Sequence, residues 1–393
     1  MNTFKKVTAA SALLAFLASG AAAAAQVEVY GLVDTGLYFK NVKTEGYGAE
    51  RTHAFTQESG IAGASRWGLR GSEKLGNGYR VGFLLEGKIL SDDGTQGTEG
   101  QPWDRDSFLY VNTPYGNVQL GRTGLLSSGV SGGIFAGLTN PFAVVYKEAG
   151  ALGVFQGAIQ RASNMVRYES PSFAGARVYA QYSNGTGLSS DYSAGNDATP
   201  GSSRDRYGAL GTTYRNGALR LAAVADYYWF NSADATYAVR KNPTSFSVAG
   251  SYDFGSVKVQ GGYQFAKNLR TNIFGQNAQQ GDGHIVMAGV SAPLFGGTAM
   301  AAAAYGHVGS FSIASGGNVD EKQLDAWQVS AGYKYSISKR TMVYGALAYR
   351  DADLDCTRTS TKTSKKGKVT VTVSDRSKEI RTYSVMAGLQ HKF

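Results

Sequence analysis

Residues 384–393 read SVMAGLQHKF, and their two-residue period governs how the rest of the chain is read. Val385, Ala387, Leu389, His391 and Phe393 fall on one side of an extended strand; Met386, Gly388, Gln390 and Lys392 fall on the other. Chain ends normally fray and carry polar side chains. A strand that stops on Phe393, on its apolar side, asks for a neighbour to seal against.

The same alternation runs through residues 26–40, QVEVYGLVDTGLYFK. There Val27, Val29, Gly31, Val33, Leu37 and Phe39 oppose Glu28, Tyr30, Asp34, Tyr38 and Lys40, so the polar face carries charge. In SRWGLRGSE the split is Trp67, Leu69 and Gly71 against Arg66, Gly68, Arg70 and Ser72. In YRVGFLLEGKI it is Tyr79, Val81, Phe83, Leu85 and Ile89 against Arg80, Gly82, Glu86 and Lys88.

Turn signals divide the chain into short and long connections. Short ones lie at 74–77, 114–116, 171–175, 215–217, 254–256, 293–297 and 336–340. Long polar or Gly-rich ones are expected at about 41–61, 92–103, 123–162, 185–204, 231–242, 269–281, 311–320 and 353–378. Seven short turns and eight long loops separate sixteen strands. An even strand count, two loop lengths and strands of about ten residues mark an all-β, antiparallel transmembrane barrel. Lipid offers no hydrogen bonds, so such a sheet must close on itself, and the last strand is expected to pair with the first. Leu389, His391 and Phe393 form that closing segment, with Phe393 toward lipid. Aromatics near strand ends, among them Tyr38, Trp67, Tyr227, Trp229, Trp327 and Tyr349, fit interfacial girdles.

Composition agrees. Lys5 and Lys6 precede an apolar run and Ala23–Ala25 offer a cleavage site, so residues 1–25 read as a secretory signal peptide. Its removal takes the chain from 393 to 368 residues and the formal charge from +10 to +8. The remaining segment 26–393 contains no run near the roughly 18 apolar residues a spanning helix needs. Cys356 is the single cysteine, so no internal disulfide holds the fold, and it reads as a loop thiol without function.

The stretches VEVYGLVDTGLYF, SRWGLRGSEKLGNGYRVGFLLE, YGNVQLGR, NMVRYESPSFAGARVYAQY and GLQHKF occur in this order over the whole chain. Together they resemble the general porins of Gram-negative outer membranes, and most closely the trimeric porins of β-proteobacteria. The resemblance implies a homotrimer of 16-stranded barrels in the outer membrane, each with its own pore. It also implies a third loop folded inward, here about 123–162, whose GIFAGL and NPFAVVY segments are apolar enough to pack on the wall.

Selectivity in such a channel comes from diameter and from charge at the narrowest point. Parity aims Arg66, Arg70, Arg80 and Lys88 into the lumen. Arg66, Arg122 and Arg167 match positions that line the basic wall of the constriction in the family, which makes them the expected core of a cationic cluster. A wall arginine could instead pair with a lumen carboxylate such as Asp34, Glu86 or Glu169. The Pro-Glu-Phe-Gly segment of many relatives is absent, and Glu148 is the one acid between 123 and 160. With Lys147 beside it and Arg161 at the loop end, the eyelet is expected to be net positive and to favour small hydrophilic anions, including carboxylates and phosphate.

Other features weigh less. Lys362, Lys365, Lys366 and Lys368 could meet lipopolysaccharide phosphates, although a solvated hairpin is the plainer reading. Asp351, Asp353 and Asp355 alternate as Ca²⁺ ligands might be spaced, but the Gly and distal Glu of a calcium loop are missing, and neither a metal nor a cofactor is expected. An enzyme would need a nucleophile and base within reach, and His53, His284, His307 and His391 sit in no such motif. A non-conducting adhesin barrel fits poorly with a charged, Gly-rich inner face. Nucleic acid is not an expected partner, because the basic residues spread over pore-facing strands.

Overall fold

The computed structural model describes residues 26–150, 160–186, 205–229, 242–273, 276–315, 318–363 and 369–393. The expected signal peptide, 1–25, lies outside them, as do Lys365, Lys366 and Lys368.

The strands run in chain order as β1 (Gln26–Gly46), β2 (Glu50–Ser59), β3 (Arg66–Gly76), β4 (Tyr79–Lys88), β5 (Ser107–Thr113) and β6 (Gly116–Gly124). After a long inward segment come β7 (Arg161–Glu169), β8 (Ala176–Ser183), β9 (Arg206–Asn216), β10 (Leu219–Trp229), β11 (Thr244–Asp253) and β12 (Lys258–Ile273). The last six are β13 (Gln276–Leu294), β14 (Gly297–Ser315), β15 (Asn318–Ser336), β16 (Thr341–Thr363), β17 (Val369–Asp375) and β18 (Lys378–Lys392). Every pairing is antiparallel and, apart from the closure of β1 on β18, joins chain neighbours, with two further exceptions in appearance only. β1 pairs with β2 at one end and with β3 at the other, so β2 and β3 are halves of one stave interrupted at 60–65. Likewise β16 pairs with both β17 and β18. Eighteen segments thus make a closed barrel of sixteen staves.

Closure runs from Leu32↔Lys392 to Gly46↔Lys378. Beyond that ladder, Gly31 and Phe393 exchange backbone hydrogen bonds, Gly31 N–H to Phe393 O at 3.2 Å and Phe393 N–H to Gly31 O at 3.1 Å. The Phe393 ring lies flat over Gly31, where any Cβ would overlap it. Leu389 faces Val343 on one side and Thr35 on the other, and His391 Nδ1 lies 3.0 Å from Thr341 Oγ1.

A buried carboxylate locks this seam from inside. Asp34 accepts from Ile61 N–H (3.0 Å) and Tyr344 OH (2.7 Å) on one oxygen, and from Ala62 N–H (3.2 Å) and Gln390 Nε2 (2.9 Å) on the other. One side chain therefore ties β1, the 60–65 interruption, β16 and β18.

The outer face carries exposed apolar side chains such as Leu37, Leu210, Val286, Val329 and Val385. Ring pairs Trp327–Tyr349 (5.3 Å) and Phe39–Tyr383 (6.4 Å) sit at one rim of this band, and Tyr252–Phe254 (4.5 Å) at the other. All seven short turns fall where the turn signals place them. At Phe295–Gly296 both residues have positive φ (45° and 78°), the geometry of a two-residue hairpin turn.

The long connections differ from expectation. Segments 41–61, 269–281, 311–320 and 353–378 are largely strand, so the staves continue past the apolar band as raised hairpins. Beyond the hydrocarbon neither face of a strand needs to be apolar, so the hydrophobic alternation that reveals a strand stops while the backbone pairing continues.

The seam makes a direct prediction. Gly31→Val drives a branched side chain into the Phe393 ring, and such overpacking costs about 1–3 kcal/mol. Urea titration of the refolded protein in micelles should show a lowered midpoint, and Phe393→Ala introduced into the same variant should recover part of it.

Candidate functional site

The segment after β6 turns into the barrel and runs along its inner wall. Its first half buries Leu125, Leu126, Phe135 and Leu138 against Met165, Tyr207, Val224 and Met287. Its second half buries Phe142, Tyr146 and Ala149 against Tyr38, Ile61, Tyr344 and Met386. Among the described residues the apolar contacts therefore reach from β7 round to β18 and β1, and none involves β3, β4 or β5. A buried loop needs partners for its backbone. Three buried wall glutamines supply them: Gln181 donates to Gly124 O (2.8 Å) and accepts from Leu126 N–H (2.8 Å), Gln260 donates to Gly137 O (2.6 Å), and Gln328 donates to Gly150 O (2.7 Å).

On the β3–β5 wall Glu86, 5% exposed, organises the charges. Its carboxylate takes Arg66 Nε at 3.1 Å, Arg105 Nε at 2.6 Å and the Tyr30 hydroxyl at 2.9 Å. Asp106 is the neighbouring acid: it accepts from Thr123 Oγ1 (3.1 Å) and Ser131 Oγ (2.6 Å), with Arg161 Nε 3.8 Å away. Arg161 Nη2 also donates to Ser131 Oγ at 2.7 Å. Lys88 stands opposite Arg66 in the β3–β4 ladder. The Asp104 carboxylate accepts from Lys88 N–H at 2.8 Å, so the wall bears Arg66, Lys88, Arg105 and Arg161 around three carboxylates.

A barrel closed this way, with a loop packed inside and a charged opposing wall, was compared with known proteins. Residues 9–355 match the family model described as Gram-negative porin. The chain belongs to the Gram-negative porin family. It is 30% identical to an outer membrane porin protein of Bordetella pertussis, over 88% of this chain and 94% of that one. Outer membrane porin protein 32 of Delftia acidovorans is also 30% identical, over 86% of this chain and 87% of the relative. The solved anion-selective porin from Comamonas acidovorans superposes with a TM-score of 0.64 at 24% identity, covering 94% of this chain and 100% of the other.

Within this porin the remaining basic positions scatter. Arg70 forms a two-pronged pair with Glu28 (2.9 and 2.8 Å) and lies 4.9 Å over the Tyr30 ring. Arg80 donates to Ser72 Oγ at 3.3 Å, close to the Asn77–Gly78 turn and so at the barrel's short-turn mouth. Arg122 is opposite Ser107, two residues along the ladder from the exposed outward pair Leu109–Leu120. Asp106 and Thr123, one residue away on each strand, hold each other on the inner face. Strand parity thus sets Arg122 on the other face of β6, where it donates to Asp104 O (2.8 Å) and Ser163 Oγ (3.0 Å). This corrects the expectation that Arg122 faces the lumen.

Arg167 is inward but only 6% exposed, donating to Gly132 O and lying 5.5 Å over the Tyr179 ring, which places it beneath the loop. Glu148 bonds the Tyr38 hydroxyl and Lys40 Nζ (2.9 Å) on β1 and does not face Arg66. Burial alone would raise the Glu148 pKa, but those two partners hold it below the usual carboxylate range. Lys147 pairs with Glu58 at 2.7 Å. Asp34 takes its hydrogen bonds from backbone and neutral side chains, while Glu86 is the carboxylate that meets the wall arginines.

Asp351 and Asp353 gather with Glu379 on the outer face, without Asp355. Arg381 sits among them, pairing with Glu379 and reaching Asp351 and Glu45 at 3.6 Å each, so a guanidinium supplies the positive charge there. Cys356 is a buried free thiol packed among Leu324, Leu354 and Ile380, on a strand and not in a loop.

Arg105 was missed because it lies in WDRDSF, where flanking acids make it look like a solvated loop charge. Glu86 reaching back to it across the sheet is a tertiary fact.

The loop's anchorage is testable. Phe142→Ala removes a fully buried ring, a change that costs about 3–5 kcal/mol at such sites. The barrel should still refold, while protease cleavage within 125–150 and single-channel current noise should both rise.

Proposed function

We propose that this outer-membrane porin, a water-filled channel for passive diffusion, prefers small anions, and the observation that carries this is the wall of Arg66, Lys88, Arg105 and Arg161 around Glu86, Asp106 and Asp104. That count leaves one positive charge in excess. The loop segment 125–150 contains a single acid, Glu148, which is turned to Lys40. Across an aqueous gap narrower than the Debye length of about 8 Å, such fixed charges act with little screening. Chloride, carboxylates and phosphate gain from the wall, and cations are repelled from it.

Arg66 and Arg105 share one carboxylate and are held rigidly by it, so Glu86 positions the pair. Lys88, Arg161 and this pair form the eyelet in this reading; Arg167 supports the loop from behind, and Arg70 and Arg80 extend the positive potential toward the short-turn mouth. A homotrimer, embedded in lipid and lipopolysaccharide, is the assembly carried over from the family.

Reversal potential in a KCl gradient across a planar bilayer tests the proposal. The native channel should favour chloride. Arg66→Ser, Arg105→Ser and Arg161→Ser should each lower the chloride-to-potassium permeability ratio by about fivefold, since a charge worth roughly 0.5 kcal/mol in water at this range attracts the anion and repels the cation alike. Arg122→Ser should leave the ratio unchanged. Cation preference in the native channel, or an Arg122 variant that shifts it as much as the others, overturns the assignment.

A further inference from the structure

β17 stands apart from the other staves. Its residues pair with β16 from Thr363↔Val369 to Thr357↔Asp375, and among the described residues with no other strand. The reason lies across the seam: β1 ends at Gly46 opposite Lys378, where Tyr47 N–H caps Ser377 O and the chain turns away. Among the described residues no stave rises beside β17. One edge of a seven-residue strand, about 23 Å at strand rise, therefore presents unpaired backbone N–H and C=O groups.

Natural sheets usually guard such edges with charge, proline or a bulge. Residues 369–374, VTVTVS, contain none of the guarding residues. Val369, Val371 and Val373 are 57%, 59% and 64% exposed on one face of the strand, and Thr370, Thr372 and Ser374 occupy the other. The described part of the ribbon is basic: Arg358, Lys362, Arg376 and Lys378 against Asp375, with Arg358 also 3.7 Å from Asp320 on β15, so Lys362 is the cation beside the threonine row.

We propose that the free edge of β17 binds an extended acidic segment of another protein at the cell surface as an added β-strand. Backbone hydrogen bonds supply affinity in this mode, and alternate side chains supply specificity. On the valine side the incoming strand places β-branched residues; on the threonine side it places carboxylates, toward Lys362. A second copy of this chain is a poor occupant, because pairing two such ribbons edge to edge brings like charges together. Lipid phosphate would meet the lysines but makes no use of an open strand edge or a valine row.

The test uses the refolded full-length porin in nanodiscs and fluorescein-labelled eight-residue peptides, read by anisotropy. A peptide of alternating Val and Glu should bind about tenfold more tightly than one of alternating Val and Lys, and than a Val-Glu peptide N-methylated at every second amide. Val371→Glu, which adds a like charge and removes an apolar contact, should weaken binding by about tenfold while channel conductance stays unchanged. Equal binding of the N-methylated peptide excludes edge pairing, and equal binding of the Val-Lys peptide excludes the acidic partner. Insensitivity to Val371→Glu places the peptide elsewhere. Concentration-dependent self-association abolished by Val371→Glu assigns the edge to a second copy. Complete displacement of the peptide by lipopolysaccharide vesicles, with N-methylation without effect, assigns the basic patch to lipid phosphate.

Discussion

Hydrocarbon forms no hydrogen bonds, and every other feature of this porin follows from that constraint. Each backbone N–H and C=O within the membrane must find a partner in the sheet, so β1 has to meet β18. The seam is reinforced at both faces. Outside, Phe393 covers Gly31; inside, Asp34 collects donors from β1's neighbours on each side. A carboxylate without exposure is tolerable there because both its oxygens are fully engaged.

The same accounting governs the loop inside the barrel. Burying its backbone against an apolar wall would leave carbonyls and amides without partners, and Gln181, Gln260 and Gln328 meet them at three points along its path. Apolar anchors such as Phe135 and Phe142 then hold the loop to one side of the lumen, and the pore is what remains between it and β3–β5. The position of the loop and the exposure of the arginine wall are thus one structural decision. Glu86 sets the arginines' geometry at the cost of cancelling part of their charge, while Glu148, the acid nearest in sequence to the constriction, is spent on fastening the loop to Tyr38 and Lys40.

Barrel class, stave number and the seven short turns were all legible in the sequence, because lipid on one side and water on the other impose a two-residue period that local reading detects. The raised hairpins were not, since above the membrane that contrast of environments ends. Arg122 shows a sharper failure: likeness to a family position set it at the eyelet, while alternation along β6 from the outward Leu120 sets it on the other face. Arg167, set there by the same likeness, lies under the loop, because a matched position says nothing of what covers it.

The sequence by itself determined that this chain must be a closed barrel with a charged interior, since alternation is a property of neighbouring residues and the closing constraint is general. Only the tertiary structure decided which charges share a site. Arg66, Glu86, Arg105, Asp106 and Arg161 come from three strands and a connecting loop, and the distances among them depend on stave register and on where the inner loop settles. Those are long-range quantities, and no local pattern of residues encodes them.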